Sequence, residues 1–337
     1  MARGELLRKL FLSHKGGNDE EFRAIALEII AEEQQKKNNH LAKDLLRILD
    51  NEGQNSIFPK APNNLSSLPK DSERHTLLVD IRHSDRNFSD ILLRQENTLL
   101  LNRIIAEYRK AELLRTHGLS PKTKLLFCGP PGCGKTLCAE IISAEIGIPL
   151  LYTRFDAIVS SYLGETAANL RKVFDYASNS RWVVLFDEFD AIGKARDDAN
   201  EHGEIKRVIN SFLQLLDSFQ SPSIIIAATN HEHLLDPALW RRFDEIILFP
   251  KPSVHEIRTL LKMKLRNFPH AGLDIKMQAS RLKGMSHADV ERMSLDAIKS
   301  CILNDRDELD LVTFDGAVKR QKARISIASS ADQRKRM

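Results

Sequence analysis

Hydrophobic residues follow a helical spacing in residues 1–50 of the chain. They recur every three or four positions in short stripes that begin at Leu6, Phe22 and Leu41, which is typical of helices that bury one face. The polar stretch Asn38–His40 separates the last two stripes and predicts a turn between antiparallel helices. We therefore expect residues 1–50 to form a small all-α N-terminal module.

The pattern changes after this module. Residues 51–76 contain prolines together with Asn, Ser and Lys and show no periodicity, so we expect a mobile linker. Within residues 77–250, short apolar runs typical of buried strands alternate with helical stretches. The runs begin near residues 124, 150, 183, 224 and 246. This alternation predicts an α/β fold in which a parallel sheet is covered by helices on both faces.

The C-terminal part of the chain returns to helical spacing. Amphipathic stretches occupy much of residues 251–327 and predict a second, helical sub-domain after the α/β sub-domain of residues 77–250. Residues 328–337 are polar and basic, and we expect them to form a disordered tail.

A glycine-rich octet joins the first apolar run to the helical stretch that follows it. Residues 129–136 read GPPGCGKT; in such a loop the backbone amides turn toward a polyphosphate, and the next helix N-terminus attracts the same anion. We expect Lys135 to reach the β- and γ-phosphates and the Thr136 hydroxyl to hold Mg²⁺. The predicted nucleotide-binding residues here are Gly129, Pro130, Pro131, Gly132, Cys133, Gly134, Lys135, Thr136 and Leu137. The octet therefore predicts an enzyme that binds nucleoside triphosphates.

A second apolar run, Trp182–Phe186, ends in acidic residues. A buried parallel strand would deliver them to the carboxyl edge of the sheet, where ligands bind in open α/β sheets. We expect Asp187 to bind Mg²⁺, directly or through water, and Glu188 to orient and polarise the attacking water. An exposed acidic turn after a core strand is the alternative, which the octet upstream disfavours.

These motifs together resemble the AAA family of ATPases, in the branch that contains protein remodellers and unfoldases, over residues 87–327. The resemblance implies ATP and Mg²⁺ as cofactors, ATP hydrolysis as the activity, and a helical lid as the second sub-domain. The segment Ser223–Asn230 is similar to the family's sensor strand, which implies that Asn230 responds to the γ-phosphate. The residues on family positions near the adenine are Asp90, Ile91, Gly284 and Ala288.

Two positions near the nucleoside depart from the family pattern. His287 stands where a small residue is common, so the fit around the base is open. Lys264 stands where many relatives carry a histidine near the ribose. The sequence leaves the role of Lys264 open.

The segment Leu235–Asp244 resembles the part of the family that carries arginine fingers, and Arg241 and Arg242 fall on those positions. A guanidinium that acts on the nucleotide of a neighbouring subunit implies a homo-oligomeric ring, and the family expectation is a hexamer. The Pro-Gly spacer that separates the two fingers in many relatives is missing here, so the sequence does not show which arginine dominates. A solvated helix end is the alternative.

The stretch Ser160–Thr166 resembles the central pore loop of the family, in which an aromatic residue, an aliphatic residue and a glycine grip an extended polypeptide. Tyr162, Leu163 and Gly164 hold these positions, which implies a protein substrate. The alternative is that these residues anchor a buried loop.

The overall charge of the 337-residue chain is mild. It has 50 Lys and Arg against 46 Asp and Glu, and we find no winged-helix or helix-turn-helix appendage, so a nucleic-acid partner is not expected. No stretch approaches the roughly twenty apolar residues of a membrane span, and no apolar signal core is present at the N-terminus.

The four cysteines lack histidines at zinc spacing and are expected to be reduced. These observations predict a cytoplasmic protein. Cys133 is next to a helix N-terminus, which favours the thiolate, and is expected to be the oxidation-sensitive cysteine.

We therefore expect an ATP-hydrolysing ring that remodels, unfolds or threads protein substrates. The resemblance also suggests a separately encoded partner protein, such as a subtilisin-like serine protease, and we expect the N-terminal module to recruit such a partner. Two alternatives remain. One is a nucleotide-dependent regulatory switch for a partner protein, and the other is a nucleic-acid motor or loader.

Overall fold

The computed structural model divides into two compact units, residues 1–65 and residues 66–337. The residues that the structure describes are 9, 13, 22, 24–30, 68–72, 74–154, 158, 163–189, 202–230, 240–270 and 272–335. In the first unit, residues 24–30 are helical and bury Ile25 and Ile30. Most of the predicted N-terminal module and of the predicted linker lies outside the described residues.

A six-stranded sheet forms the centre of the second unit. Its strands are β1 (Val79–Arg82), β2 (Lys124–Cys128), β3 (Leu150–Thr153), β4 (Val183–Phe186), β5 (Ile224–Thr229) and β6 (Glu245–Leu248). The strand order is β1-β3-β4-β5-β2-β6; neighbours from β3 to β6 pair in parallel, whereas β1 pairs antiparallel to β3. The predicted α/β fold is confirmed. The edge strand β1 was not predicted, because its four residues VDIR lack the continuous apolar run of a buried strand.

Helices cover both faces of this sheet. They are α1 (Gln95–Arg109), α2 (Ala111–Thr116), α3 (Lys135–Ile146), α4 (Leu163–Ser178) and α5 (His202–Ser218). α4 and α5 pack on one face and α1 and α3 on the other, which buries every residue of β4 and β5. On the first face, the ring of Phe186 in β4 lies 5.4 Å from that of Phe174 and 5.2 Å from that of Phe212. The apolar runs of the sequence are thus explained by burial on both sides.

The helices that follow the sheet share a core of their own. They are α6 (Val254–Leu265), α7 (Ile275–Arg281), α8 (His287–Leu303) and α9 (Leu311–Lys335). Fully buried side chains such as Leu261 and Phe314 fill the space between them. α6 and α8 both begin with a capping box, in which Ser253 and Ser286 bind the third backbone amide of their helices and so satisfy free helix ends.

The C-terminal tail differs from the prediction. Residues 328–335 were expected to be disordered but continue α9 as far as Lys335. This stretch contains neither glycine nor proline. Its Ala, Gln, Arg and Lys residues favour a helix once the preceding turns are in place.

The end of the predicted linker also differs from the prediction, because residues 68–72 pack on the second unit. Asp71 is buried, with 2% of its surface exposed, and its Oδ2 accepts a hydrogen bond of 2.7 Å from Nδ2 of the buried Asn169. Lys172 Nζ donates to Ser72 Oγ over 2.7 Å. Since Asn169 and Lys172 both belong to α4, this segment is part of the second unit, whose boundary falls at residue 66.

Candidate functional site

A cavity of about 370 Å³ opens between the carboxyl ends of the parallel strands, the C-terminal half of α6 and the beginning of α8. Ligands of open α/β sheets bind at this edge. Its lining includes most of the predicted nucleotide-site residues: Asp90, Ile91, Leu92, Pro131, Gly132, Cys133, Gly134, Lys135, Thr136, Leu137, Asp187, Glu188, Asn230, Leu260, Lys264, His287, Ala288 and Glu291. Motifs far apart in the chain therefore meet in one place.

Lys135 lines this cavity at the end of the glycine-rich loop. It is buried, with 6% of its surface exposed. Its Nζ donates hydrogen bonds to the carbonyl oxygens of Gly129 (2.6 Å) and Pro130 (3.0 Å) and to Asn230 Oδ1 (2.8 Å). The cation thus joins the loop after β2 to the residue after β5, so the predicted phosphate ligand and the predicted sensor are in direct contact.

The predicted metal ligands also meet. Thr136 Oγ1, in the first turn of α3, donates a hydrogen bond of 2.6 Å to Asp187 Oδ2 at the end of β4. A hydroxyl and a carboxylate are oxygen ligands of the kind that Mg²⁺ takes beside a nucleotide. The residues present therefore fit the metal that the sequence implies.

Glu188 adopts an unusual backbone conformation that the sequence did not reveal. Its φ is 52°, in the left-handed region, which is costly for a residue with a side chain and is found at functional sites. Two hydrogen bonds hold this turn: the Glu188 amide donates to Asp187 Oδ1 (2.9 Å) and the Phe189 amide to the Ala228 carbonyl (2.9 Å). Because Phe189 is buried while Glu188 is exposed, the turn directs the carboxylate away from the core.

Two glycines of the loop are required by their close neighbours. A Cβ on Gly129 would lie 2.2 Å from the carbonyl oxygen of Phe249, and one on Gly132 would lie 2.7 Å from Ser286 Oγ. Gly132 also accepts, through its carbonyl, a hydrogen bond of 3.0 Å from the Ala288 amide. The loop is therefore packed between the end of β6 and the first turn of α8.

Residues predicted to lie near the adenine separate into two groups. Asp90, Ile91 and Ala288 line the cavity, and Ile91 Cδ1 approaches within 3.1 Å of the Cβ position of Gly134. Gly284 does not line it. With a φ of 89° and no atom within 4 Å of its Cβ position, Gly284 serves the turn that precedes α8.

His287 and Cys133 are buried titratable groups beside the loop. Burial lowers the pKa of His287, although the carboxylate of Glu256 opposes this, and His287 Nδ1 has no hydrogen-bond partner among the described residues. Burial raises the pKa of the Cys133 thiol, against the effect of Lys135. A raised pKa disfavours the thiolate that the sequence led us to expect at Cys133. All four cysteines are buried, and none forms a disulfide.

The two candidate finger arginines lie outside the cavity lining. Arg242 Nε donates a hydrogen bond of 2.7 Å to Asp217 Oδ2, near the end of α5. Arg241 is exposed. The segment 231–239 that precedes them lies outside the described residues.

The predicted pore loop is described only in part. Leu163 and Gly164 form the beginning of α4, whereas the sequence places them in a loop and starts the helix near residue 167. Glu165 lies in this first turn, where an acidic side chain interacts favourably with the helix dipole. Tyr162 lies outside the described residues, and the substrate role of all three stays a prediction.

The chain is similar to known proteins over most of its length. The ATPase family associated with various cellular activities (AAA) matches residues 125–251. The "Uncharacterized AAA family ATPase y4kL" of Sinorhizobium fredii is 43% identical over 324 residues, which are 96% of this chain and 97% of that protein.

Two further relatives are matched over part of their length. ATP-dependent zinc metalloprotease FtsH 3 of Sphaerobacter thermophilus is 33% identical over 77% of this chain and 55% of that protein. The proteasome-activating nucleotidase of Thermococcus onnurineus is 34% identical over 62% of this chain and 53% of that protein. The chain thus spans about half the length of these two relatives. With its full-length match to an AAA ATPase and its assembled nucleotide site, the chain belongs to the AAA family of ATPases.

Proposed function

We propose that the protein is a ring-forming ATPase that remodels, unfolds or threads protein substrates and serves a separately encoded partner such as a protease. As a member of its family, it binds ATP with Mg²⁺ and hydrolyses ATP. The observation that carries the proposal is that the catalytic groups of one chain line one cavity while both candidate finger arginines lie outside it.

In this proposal each cavity residue has one task. Lys135 binds the β- and γ-phosphates, and Thr136 and Asp187 hold Mg²⁺, which offsets phosphate charge when bound. Glu188 polarises the attacking water and accepts its proton. Asn230 orients the γ-phosphate.

Phosphoryl transfer also needs a positively charged group beside the outer oxygens of the γ-phosphate, where it stabilises their negative charge. In the described ranges, no arginine lines the cavity. A neighbouring copy of the chain that presents Arg241 or Arg242 would supply this charge. The incomplete cavity therefore supports a homo-oligomeric ring, for which six subunits are the family expectation.

α4 connects the cavity with the segment proposed to hold the substrate. It begins at Leu163, directly after Tyr162, and its Phe174 stacks on Phe186, the residue before Asp187. A movement of the acidic residues on hydrolysis can therefore be transmitted through these packed side chains and α4 to the substrate segment. The two partial relatives, a metalloprotease and a proteasome-activating nucleotidase by name, also support a protein substrate.

An unfolding assay tests the proposal. Proteins retained by a Glu188→Gln variant, which should hold ATP without hydrolysing it, would be identified and used as substrates for the wild-type protein. We expect Tyr162→Ala to hydrolyse ATP at a near-normal basal rate but to leave the substrate folded, and Tyr162→Phe, which keeps the flat ring, to unfold it.

Three results would contradict the proposal. A Tyr162→Ala protein without basal hydrolysis would indicate a buried anchor. A Tyr162→Ala protein that unfolds the substrate normally would remove this residue from the substrate site. Wild-type protein that hydrolyses ATP but never alters a retained protein would favour the regulatory switch.

Location and partner remain proposals. No helix within the described ranges is long and apolar enough to cross a membrane. A cytoplasmic location is proposed because none of the four cysteines forms a disulfide. The protease partner and the recruiting role of residues 1–50 rest on the sequence alone.

A further inference from the structure

A pair of charged side chains on the lid lines the nucleotide cavity, and one of them is Lys264, whose role the sequence left open. Lys264 of α6 and Glu291 of α8 both contribute to the lining, and Lys264 Nζ lies 2.5 Å from Glu291 Oε1. The side chains are 21% and 43% exposed, respectively. The pair is therefore partly shielded from water, where charged hydrogen bonds are stronger than at an open surface.

The rest of the cavity leaves one part of a nucleotide for this pair. Lys135, Thr136 and Asp187 occupy the phosphate end. Flat nucleobases bind against apolar walls, and Ile91, Leu92 and Leu260 supply such walls. The sugar connects the base to the phosphates, and its hydroxyls need polar partners, which the Lys264–Glu291 pair offers beside Asp90 and His287 in the same lining.

A carboxylate is suited to this task. It offers about four acceptor sites on two oxygens, so the contact with Lys264 leaves acceptor capacity on Glu291. Acidic side chains bind ribose hydroxyls in the same way in dinucleotide-binding folds. A lone carboxylate near a polyphosphate would repel it, and the ammonium group of Lys264 offsets that repulsion.

We propose that Glu291, positioned by Lys264, accepts hydrogen bonds from the ribose hydroxyls of the bound nucleotide and makes the protein prefer ribonucleotides over 2′-deoxyribonucleotides. Glu291 contacts the ligand. Lys264 is a positioning residue that also reduces the charge repulsion between Glu291 and the phosphates.

The test is equilibrium binding of ADP, 2′-deoxy-ADP and GDP to the full chain by titration calorimetry, which requires no hydrolysis. Loss of one charge-assisted hydrogen bond corresponds to roughly a tenfold change in affinity, so we expect wild type to bind ADP about tenfold more tightly than 2′-deoxy-ADP. In Glu291→Gln this ratio should fall to about twofold or less, because a neutral amide is a weaker acceptor.

Lys264→Met should lower the preference for ADP over 2′-deoxy-ADP. It should also weaken the binding of both adenine nucleotides, because it leaves Glu291 without its positive partner near the phosphates. Adding Glu291→Gln to Lys264→Met should restore part of the lost affinity. Matched controls are Lys262→Met, an exposed position on the same helix, and Glu112→Gln, an exposed position on α2. Both controls should keep the wild-type ratio.

Several results would overturn the proposal: equal binding of ADP and 2′-deoxy-ADP by the wild type, an unchanged ratio in Glu291→Gln, or a change confined to the ADP-to-GDP ratio, which would assign the pair to the base. Circular dichroism checks folding, and Glu291→Asp provides a second variant, which should lose part of the preference because its carboxylate is shorter. These measurements involve neither a ring nor a protein substrate, so their failure would leave the proposed function standing.

Discussion

The hydroxyl of Thr136 donates a hydrogen bond of 2.6 Å to Asp187 Oδ2, across 51 positions of sequence. Thr136 is the second residue of α3, and Asp187 directly follows β4. Their contact fixes the loop against the acidic strand end. It also brings together the oxygen ligands proposed for Mg²⁺.

Removing the Thr136 hydroxyl should therefore affect metal-dependent binding selectively. We expect Thr136→Val to weaken ADP binding roughly tenfold when Mg²⁺ is present, because one oxygen ligand is lost. Binding in excess chelator should change little. Calorimetry in both conditions measures this, with Thr136→Ser as the control that keeps the hydroxyl. A loss of equal size with and without Mg²⁺ would place Thr136 outside the metal site.

Gly129 should be essential to stability. Its φ is 145°, and a Cβ would lie 2.2 Å from the Phe249 carbonyl oxygen, on a chain segment held by the Phe249 amide's 2.7 Å hydrogen bond to the Cys128 carbonyl. We expect Gly129→Ala to lower the free energy of unfolding by about 2 kcal/mol or more.

Gly272 provides the matched control, since no atom lies within 4 Å of its Cβ position. Gly272→Ala should change the free energy of unfolding by less than about 0.5 kcal/mol. Urea denaturation followed by circular dichroism compares the two. Equal effects would show that the contact with Phe249 relaxes easily.

Two truncations should differ because of Asp71. Removing residues 2–65 ends at the boundary between the compact units, and we expect nucleotide binding and basal hydrolysis to persist. Removing residues 2–73 also deletes Asp71 and leaves the buried amide of Asn169 without that acceptor, which should cost about 1–3 kcal/mol. Thermal unfolding of both proteins measures the difference. Indistinguishable melting temperatures would contradict a structural role for this segment.

Local patterns of the sequence reveal the catalytic edge but not the contacts that organise it. The strand starts and the roles suggested by the GPPGCGKT octet follow from apolar runs and a motif of contiguous residues. The pairs Asp71–Asn169 and Lys264–Glu291 join distant positions through single polar side chains, which leave no periodicity to detect. The left-handed backbone of Glu188 is likewise imposed by hydrogen bonds to its neighbours and not by a residue type that favours it.

Arg241 and Arg242 should have unequal effects on hydrolysis. Asp217 holds Arg242 within its own chain, whereas Arg241 is exposed and is proposed as the main finger. We expect Arg241→Ala to lower kcat about 10³-fold and Arg242→Ala and Asp217→Asn to lower it about tenfold each, through displacement of the segment. Combining Arg242→Ala with Asp217→Asn should lower kcat no further than either substitution alone, because both break the contact between Arg242 and Asp217. A larger loss in Arg242→Ala than in Arg241→Ala would reverse the assignment.

The claim that one chain forms an incomplete catalytic site is tested most directly by ATP hydrolysis in a mixture of two inactive variants. Lys135→Ala subunits cannot hold the phosphates but keep Arg241, and Arg241→Ala subunits have the opposite defect. In randomly mixed rings at equal amounts, we expect about a quarter of the wild-type rate, because that fraction of sites combines an intact loop with an intact neighbouring finger. A mixture that stays as inactive as its components, while light scattering and crosslinking show that mixed oligomers form, would contradict the account.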